Sequence, residues 1–335
     1  MANSLRNNPA LSGKKVLITG GLGFIGSNIA HALVSKGAKV TIYDACLTPY
    51  GWNFANIKEI KDKVKFIKGD IRDMAKLKHL LPDQEYVIDC ASQISHTISI
   101  KDPFLDLDIN CRGALTILEA ARKVNDGIKF VYAGTRGEIG RMVYSPIDEE
   151  HPTNPVDMNG IDKLAAEKYY LLYNRLYGMR ATSIRINNAY GIRSQMKHAD
   201  YGIVNWFMKM AMLNQQITIN GKGLQTRDYT YVSDIADAFA LALASKKADG
   251  EVFMLGSGKE TRFIDVCNMI LKAAGSKMKI NHRKWDEERK AIEIGNFVVS
   301  GRKIRKTLGW KPKVGLEEGL KRTYEFYKER RNEYF

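Results

Sequence analysis

The run Val16-Leu-Ile-Thr-Gly20-Gly-Leu-Gly23-Phe24-Ile25-Gly26 constrains the fold of this chain more than any other stretch. An apolar strand must turn sharply into a helix there, and each glycine answers a separate steric demand. Gly20 permits the tight turn, Gly23 lets the backbone approach a pyrophosphate, and Gly26 lets the helix pack closely on the strand. The helix opening at Phe24 and Ile25 offers free amides to phosphate oxygens. Asp44 closes the second strand, where a carboxylate accepts hydrogen bonds from an adenosine ribose and repels a 2′-phosphate. NAD is therefore expected over NADP. Asp70, beside Ile71 after the third strand, is placed to reach an adenine amino group, with a helix cap as its alternative reading.

The same rhythm continues along the first half. Strands are expected at Lys15–Thr19, Lys39–Tyr43, Val64–Lys68, Tyr86–Asp89, Lys129–Ala133 and Ala181–Ile186. Helices are expected at Phe24–Lys36, Asp73–Leu81, Phe104–Val124 and Gly160–Tyr177. This alternation predicts an α/β fold, a doubly wound Rossmann-type parallel sheet with ligands at the carboxyl ends of its strands. After about residue 188 the rhythm loosens, with further helices at Val232–Ser245 and Leu316–Arg331. Residues 14–188 and 225–250 are expected to form the NAD-binding domain. Residues 189–224 and 251–335 are expected to form a smaller interleaved substrate lobe ending in the C-terminal helix. Residues 1–13 lack the apolar core of a signal peptide and read as a disordered leader. Trp206, Phe207 and Met210 read as the core face of a helix.

Composition narrows the partners. No apolar stretch approaches the roughly 20 residues of a membrane span. The cysteines, Cys46, Cys90, Cys111 and Cys267, lie far apart, which argues against a zinc knuckle or disulfide framework and fits a reducing, cytoplasmic location without a metal site. Lys plus Arg number 52 against 37 acids, a formal charge of +15. No block of five basic residues occurs, so an anionic small ligand is favoured over nucleic acid.

Several motifs then resemble one family throughout the chain. The glycine loop, Asp44, Gly69-Asp70, Asn110 with Gly113, Asn188-Ala-Tyr190-Gly191, Arg227-Asp-Tyr-Thr-Tyr-Val-Ser-Asp234 and Leu308-Gly-Trp310-Lys-Pro312 resemble the extended short-chain dehydrogenase/reductases. Within that family the chain is similar to the nucleotide-sugar epimerases and dehydratases, and Gln93-Ile-Ser-His96-Thr-Ile-Ser99 is similar to the segment of CDP-tyvelose 2-epimerase-like enzymes. The resemblance implies a Ser/Thr, a Tyr and a Lys as catalytic groups, bound NAD, a nucleotide-diphosphate sugar as substrate and a homodimer. Thr135 matches the Ser/Thr, and Lys163 matches the Lys, which also serves the cofactor's nicotinamide ribose. Asn188 and Arg227, flanked by Arg193, match residues that contact the diphosphate.

Two departures stand out. Asn159 occupies the place of the Tyr, and an amide exchanges no proton near neutrality. Another group then takes the proton, with Lys163 the nearest candidate and His96, Glu138 and Tyr144 behind it; otherwise the site binds without redox chemistry, or the alignment is displaced. The second departure is Arg136-Gly137, where the 4,6-dehydratases of the family carry an Asp-Glu pair after the Thr. The resulting expectation is an epimerase that oxidises its sugar transiently with tightly held NAD. A nucleotide-sugar dehydrogenase and a non-catalytic sugar-nucleotide binder are the alternatives.

Overall fold

The computed structural model describes residues 10–48, 50–199 and 202–335. Strands β1 (Lys15–Thr19), β2 (Lys39–Asp44), β3 (Val64–Lys68), β4 (Tyr86–Asp89), β5 (Lys129–Thr135), β6 (Ala181–Ile186) and β7 (Val252–Leu255) form one parallel sheet. Its order is 7-6-5-4-1-2-3, so the strand sequence reverses between β1 and β4. Successive side chains serve opposite faces. Val16 and Ile18 enter one apolar core with Ile29 and Leu33 of α1 (Phe24–Ser35) and Phe239 of α7 (Val232–Ala244). Leu17 and Val87 enter the other. That second core holds α2 (Met74–Leu80), α4 (Gly113–Val124) and α5 (Met158–Tyr177) against the sheet.

Three expectations need correction. Val252–Leu255, assigned to the substrate lobe, pairs with β6 and completes the main sheet, because Phe253 and Leu255 are fully buried beneath it. The helix expected over Phe104–Val124 is interrupted by a π turn at Leu107–Arg112, which turns Asn110 toward the loop after β4. Asn110 there accepts from Ser92 Oγ at 2.7 Å and donates to the Gln93 carbonyl at 2.8 Å. The expected leader is packed from residue 10 onward: Leu11 is fully buried, and Gly13 N donates to Gly37 O. Residues 1–9 lie outside the described residues.

The lobe has its own core. Helices α6 (Ile203–Met212), α8 (Phe263–Ala274) and α9 (Leu316–Glu329) bury Phe207, Met208, Val266, Ile270, Leu320 and Tyr327 together with Tyr190 and Tyr231. Among the described residues, no helix is long and apolar enough to cross a membrane.

Candidate active site

Two connected cavities lie over the carboxyl ends of the strands. The smaller, about 170 Å³, is lined by Gly20, Gly23, Gly26, Asp44, Asp70 and Ile71. The larger, about 770 Å³, spreads between the sheet and the lobe, and Phe24, Ile25 and Cys90 line both. The glycine loop needs its glycines. Gly20 has φ +63°, and a Cβ there would fall 2.6 Å from the Cys90 carbonyl oxygen; a Cβ on Gly26 would press into the Gly20 carbonyl. No side chain caps α1, so its first amides stay available to a phosphate.

Asp44 is buried, accepting from Leu22 N at 3.0 Å and Cys46 N at 2.9 Å; burial pushes its carboxyl pKa up against these bonds. Asp70 is gripped by Arg72, whose Nε and Nη2 donate to its two oxygens. Arg72 holds the Asp70 carboxyl below its usual range. These features fit NAD: the close Gly26–Gly20 packing sets the turn, Gly23 presents bare backbone to the cavity where a pyrophosphate would lie, and Asp44 offers acceptors at the end of β2.

The larger cavity carries the chemistry. Thr135 ends β5, and its Oγ accepts from Gly137 N while its own amide donates to Glu138 at 2.8 Å, a capping box that fixes the turn Arg136–Glu138. Lys163 reaches the cavity from α5, with Nζ 4.3 Å from the centre of the Tyr132 ring. Burial lowers its pKa against the opposing pull of Asp89 and Glu138. Asn159, one turn earlier, also lines the cavity, but its Nδ2 is spent on Gln93 O at 2.8 Å and Asp106 Oδ1 at 3.2 Å.

Opposite stands a pair that sequence spacing does not reveal. His96 opens α3 (His96–Lys101), and its Nδ1 lies 2.6 Å from Asp157 Oδ2. Asp157 is the N-cap of α5, accepting from Gly160 N at 2.8 Å. Burial opposes its ionisation, yet the His96 bond and charge, the Gly160 amide and Arg136 hold its carboxyl below the usual range. A carboxylate only accepts, so Nδ1 carries the hydrogen, and in the neutral imidazole Nε2 then presents a lone pair. That Nε2 has no hydrogen-bond partner among the described residues, and both residues line the cavity.

Other expected site residues are placed differently. Glu138 is fully buried behind β5, bonded to Arg185 Nε at 3.1 Å, and Arg185 also grips Glu167. Burial and the neighbouring Glu167 push the Glu138 pKa well up, and the residue lies outside the cavity lining. Arg193 lines neither cavity; its guanidinium ties Glu59 at 2.5 Å and Asn28 at 3.2 Å, joining α1 to the lobe. Tyr144 is bonded to Asp148 on the surface. Asn188 and Arg227 do line the cavity, Asn188 donating to Asp228 O at 2.9 Å and Arg227 paired with Glu293 and Gly295 O. Trp206, Phe207 and Met210, read as core, also line it. Asn187 joins them with neither amide atom bonded, although only 6% of the residue is exposed.

A family model described as GDP-mannose 4,6 dehydratase matches residues 17–323, and the chain belongs to this family of extended short-chain dehydrogenase/reductases. A UDP-glucose 4-epimerase of Mycolicibacterium smegmatis is 32% identical over 318 residues, covering 94% of this chain and 98% of its own. The structure of UDP-glucose 4-epimerase from Thermotoga maritima with UDP-glucose aligns with TM-score 0.87 at 30% identity, over 94% of this chain and 99% of that one. The UDP-glucose 4-epimerase of Thermus thermophilus in complex with NAD aligns with TM-score 0.84 at 30% identity, over the same shares.

Proposed function

We propose that the protein is an NAD-dependent epimerase of a nucleotide-diphosphate sugar, with His96 as the proton acceptor in place of the family's Tyr. The observation that carries this reading is that Thr135, Lys163 and the His96–Asp157 pair line one cavity, which continues past Phe24 and Ile25 to the glycine loop. NAD, which the glycine loop, Asp44 and Lys163 would hold, would supply a reversible hydride acceptor for the sugar carbon. The chain's own groups do the rest. Asn188 and Arg227 receive the diphosphate, with Arg227 exchanging Glu293 for phosphate oxygens. The Thr135 hydroxyl orients the reacting oxygen. Nε2 of His96 takes its proton, and Asp157 stabilises the imidazolium that forms. Lys163, a buried cation beside Thr135's strand, holds the nicotinamide ribose and favours negative charge on the oxygen.

The relatives named as UDP-glucose 4-epimerases support epimerisation over dehydration, as does Arg136-Gly137 in place of the dehydratase acids. Glu138, expected as a further catalytic group, has no part in the reading because it does not reach the cavity. The test is product NMR on a panel of nucleotide sugars incubated with NAD and wild-type protein. Inversion of one ring centre, with NAD returned oxidised, is expected. Binding of NAD and sugar nucleotide without any product would support the non-catalytic alternative, which the absence of the Tyr favours. Net accumulation of NADH would support a dehydrogenase.

The assembly proposed is a homodimer paired through α5 and the helix around residues 103–107. Phe104, Ile161 and Leu176 are 78%, 53% and 58% exposed there, unusual for such side chains on a lone chain. Sedimentation of a monomer at micromolar concentration would remove it. Free thiols at all four cysteines support a reducing, cytoplasmic location.

A further inference from the structure

Arg136 follows Thr135 directly and lines the larger cavity, yet its guanidinium makes no hydrogen bond or salt bridge among the described residues. Its backbone is not free to turn away. The capping box of Thr135 and Glu138 fixes the turn, and Glu138 is itself locked to buried Arg185. The charges nearest Arg136 are already committed: Asp157 to His96 and Gly160, and Glu293 to Arg227. Of the other cavity arginines, Arg227 has Glu293, Arg283 donates to Asn220 at 2.6 Å and Arg289 pairs with Asp286 at 3.8 Å. Burial and the charge of Arg227 lower the Arg136 pKa to about 10, the sign of a cation whose surroundings do not compensate it. A second polar group on the same wall is also unsatisfied: Asn187, nine-tenths buried, with neither amide atom bonded. This wall is built for a polar ligand that brings both a hydrogen-bonding group and an anion.

We propose that Arg136 receives a carboxylate carried by the sugar, so that the substrate is a nucleotide-diphosphate hexuronate, with Asn187 hydrogen-bonding a ring hydroxyl. The inference rests on the nucleotide-sugar reading above. A planar carboxylate matches the guanidinium fork and supplies one negative charge to one uncompensated positive one. A phosphate ester on the sugar fits less well, since Asp157 and Glu293 both act on this spot and a dianion would meet two carboxylates. A neutral hexose leaves the cation without a partner. The diphosphate is the other anion that Arg136 could serve, and the experiment separates the two.

UDP, UDP-glucose and UDP-glucuronate are titrated by calorimetry into NAD-loaded wild type, Arg136→Gln and Arg136→Lys. Wild type is expected to bind UDP-glucuronate at least about tenfold more tightly than UDP-glucose, the scale of one charge-assisted bidentate pair. Arg136→Gln should erase that preference by weakening UDP-glucuronate while UDP keeps its affinity; Arg136→Lys, which retains charge without the fork, should fall between. A wild type that does not prefer the uronate, or an Arg136→Gln protein that keeps the same preference, overturns the proposal. Equal weakening of all three ligands also overturns it and moves Arg136 to the diphosphate. In these cases the nucleotide-sugar reading survives, because UDP and UDP-glucose still bind wild type. Failure of all three to bind wild type overturns both.

Discussion

The two halves of the cleft are made of different material. On the cofactor half the surface is rich in backbone: bare glycines at positions 20, 23 and 26, uncapped amides of α1, and two carboxylates, Asp44 held by two amides and Asp70 by Arg72. On the sugar half the surface is side chains: Thr135, Arg136, His96, Asp157, Lys163 and Asn187, drawn from four separate segments. A backbone surface tolerates little change, since an added Cβ collides, and it recognises a group common to many reactions. A side-chain surface can exchange one proton acceptor for another without disturbing the fold. That is how Asn159 can stand where a Tyr is expected while His96 offers a lone pair into the same cavity.

Breaking the sugar half at its acid–base pair should have the largest effect. His96→Ala is expected to lower turnover by roughly 10²–10⁴-fold while NAD affinity is unchanged, because general base catalysis is worth that much. Steady-state turnover assays with NAD titrations would check it, and a fully active variant would return the role to Lys163.

The cofactor half sharpens the comparison with a smaller number. Wild type should bind NAD at least tenfold more tightly than NADP, about 1.4 kcal/mol, and Asp44→Ala should lose most of that discrimination. Equal affinities in wild type would remove Asp44 from the ribose.

A third test probes the support behind Asn159. Asp162 hydrogen-bonds Asp106, and burial together with that second carboxyl raises its pKa to about 7. Asp106 Oδ2 otherwise finds no donor, so the pair needs the proton on Asp162. A carboxyl raised in the folded state stabilises below its unfolded pKa and loses that contribution as the pH climbs through about 7. Asp162→Asn, which donates at any pH, should therefore raise Tm at pH 8 by about 2–4 °C per kcal/mol recovered and gain nothing near pH 4. Paired melting curves at the two pH values decide it.

The smallest effect is expected at Glu138. It is buried outside the cavity, and Glu138→Gln is nearly isosteric, so turnover should barely move. A large loss of turnover with an unchanged Tm would put Glu138 back in the chemistry.

The chain's local pattern determined the sheet, the glycine loop and the position of Asp44, because each is encoded within about 30 residues: a period of two or 3.6, a sterically obligatory glycine, an acid at a strand end. Thr135, Lys163, Asn188 and Arg227 were legible as well, since each sits at a strand end or on a helix whose register the pattern sets. What only the tertiary structure decided were the relations across segments. His96 and Asp157 are 61 residues apart and meet because a loop after β4 and the cap of α5 converge at the sheet's edge. Glu138 and Arg193 read as site residues until packing turned both inward, Glu138 to Arg185 and Arg193 to Glu59. Asn187 carried no signal and Arg136 stood out only as the absence of a dehydratase acid, because an unsatisfied guanidinium or amide is a property of its neighbours and not of its own residue type. Burial and pairing depend on which distant segments come to lie alongside, and local spacing holds no record of that.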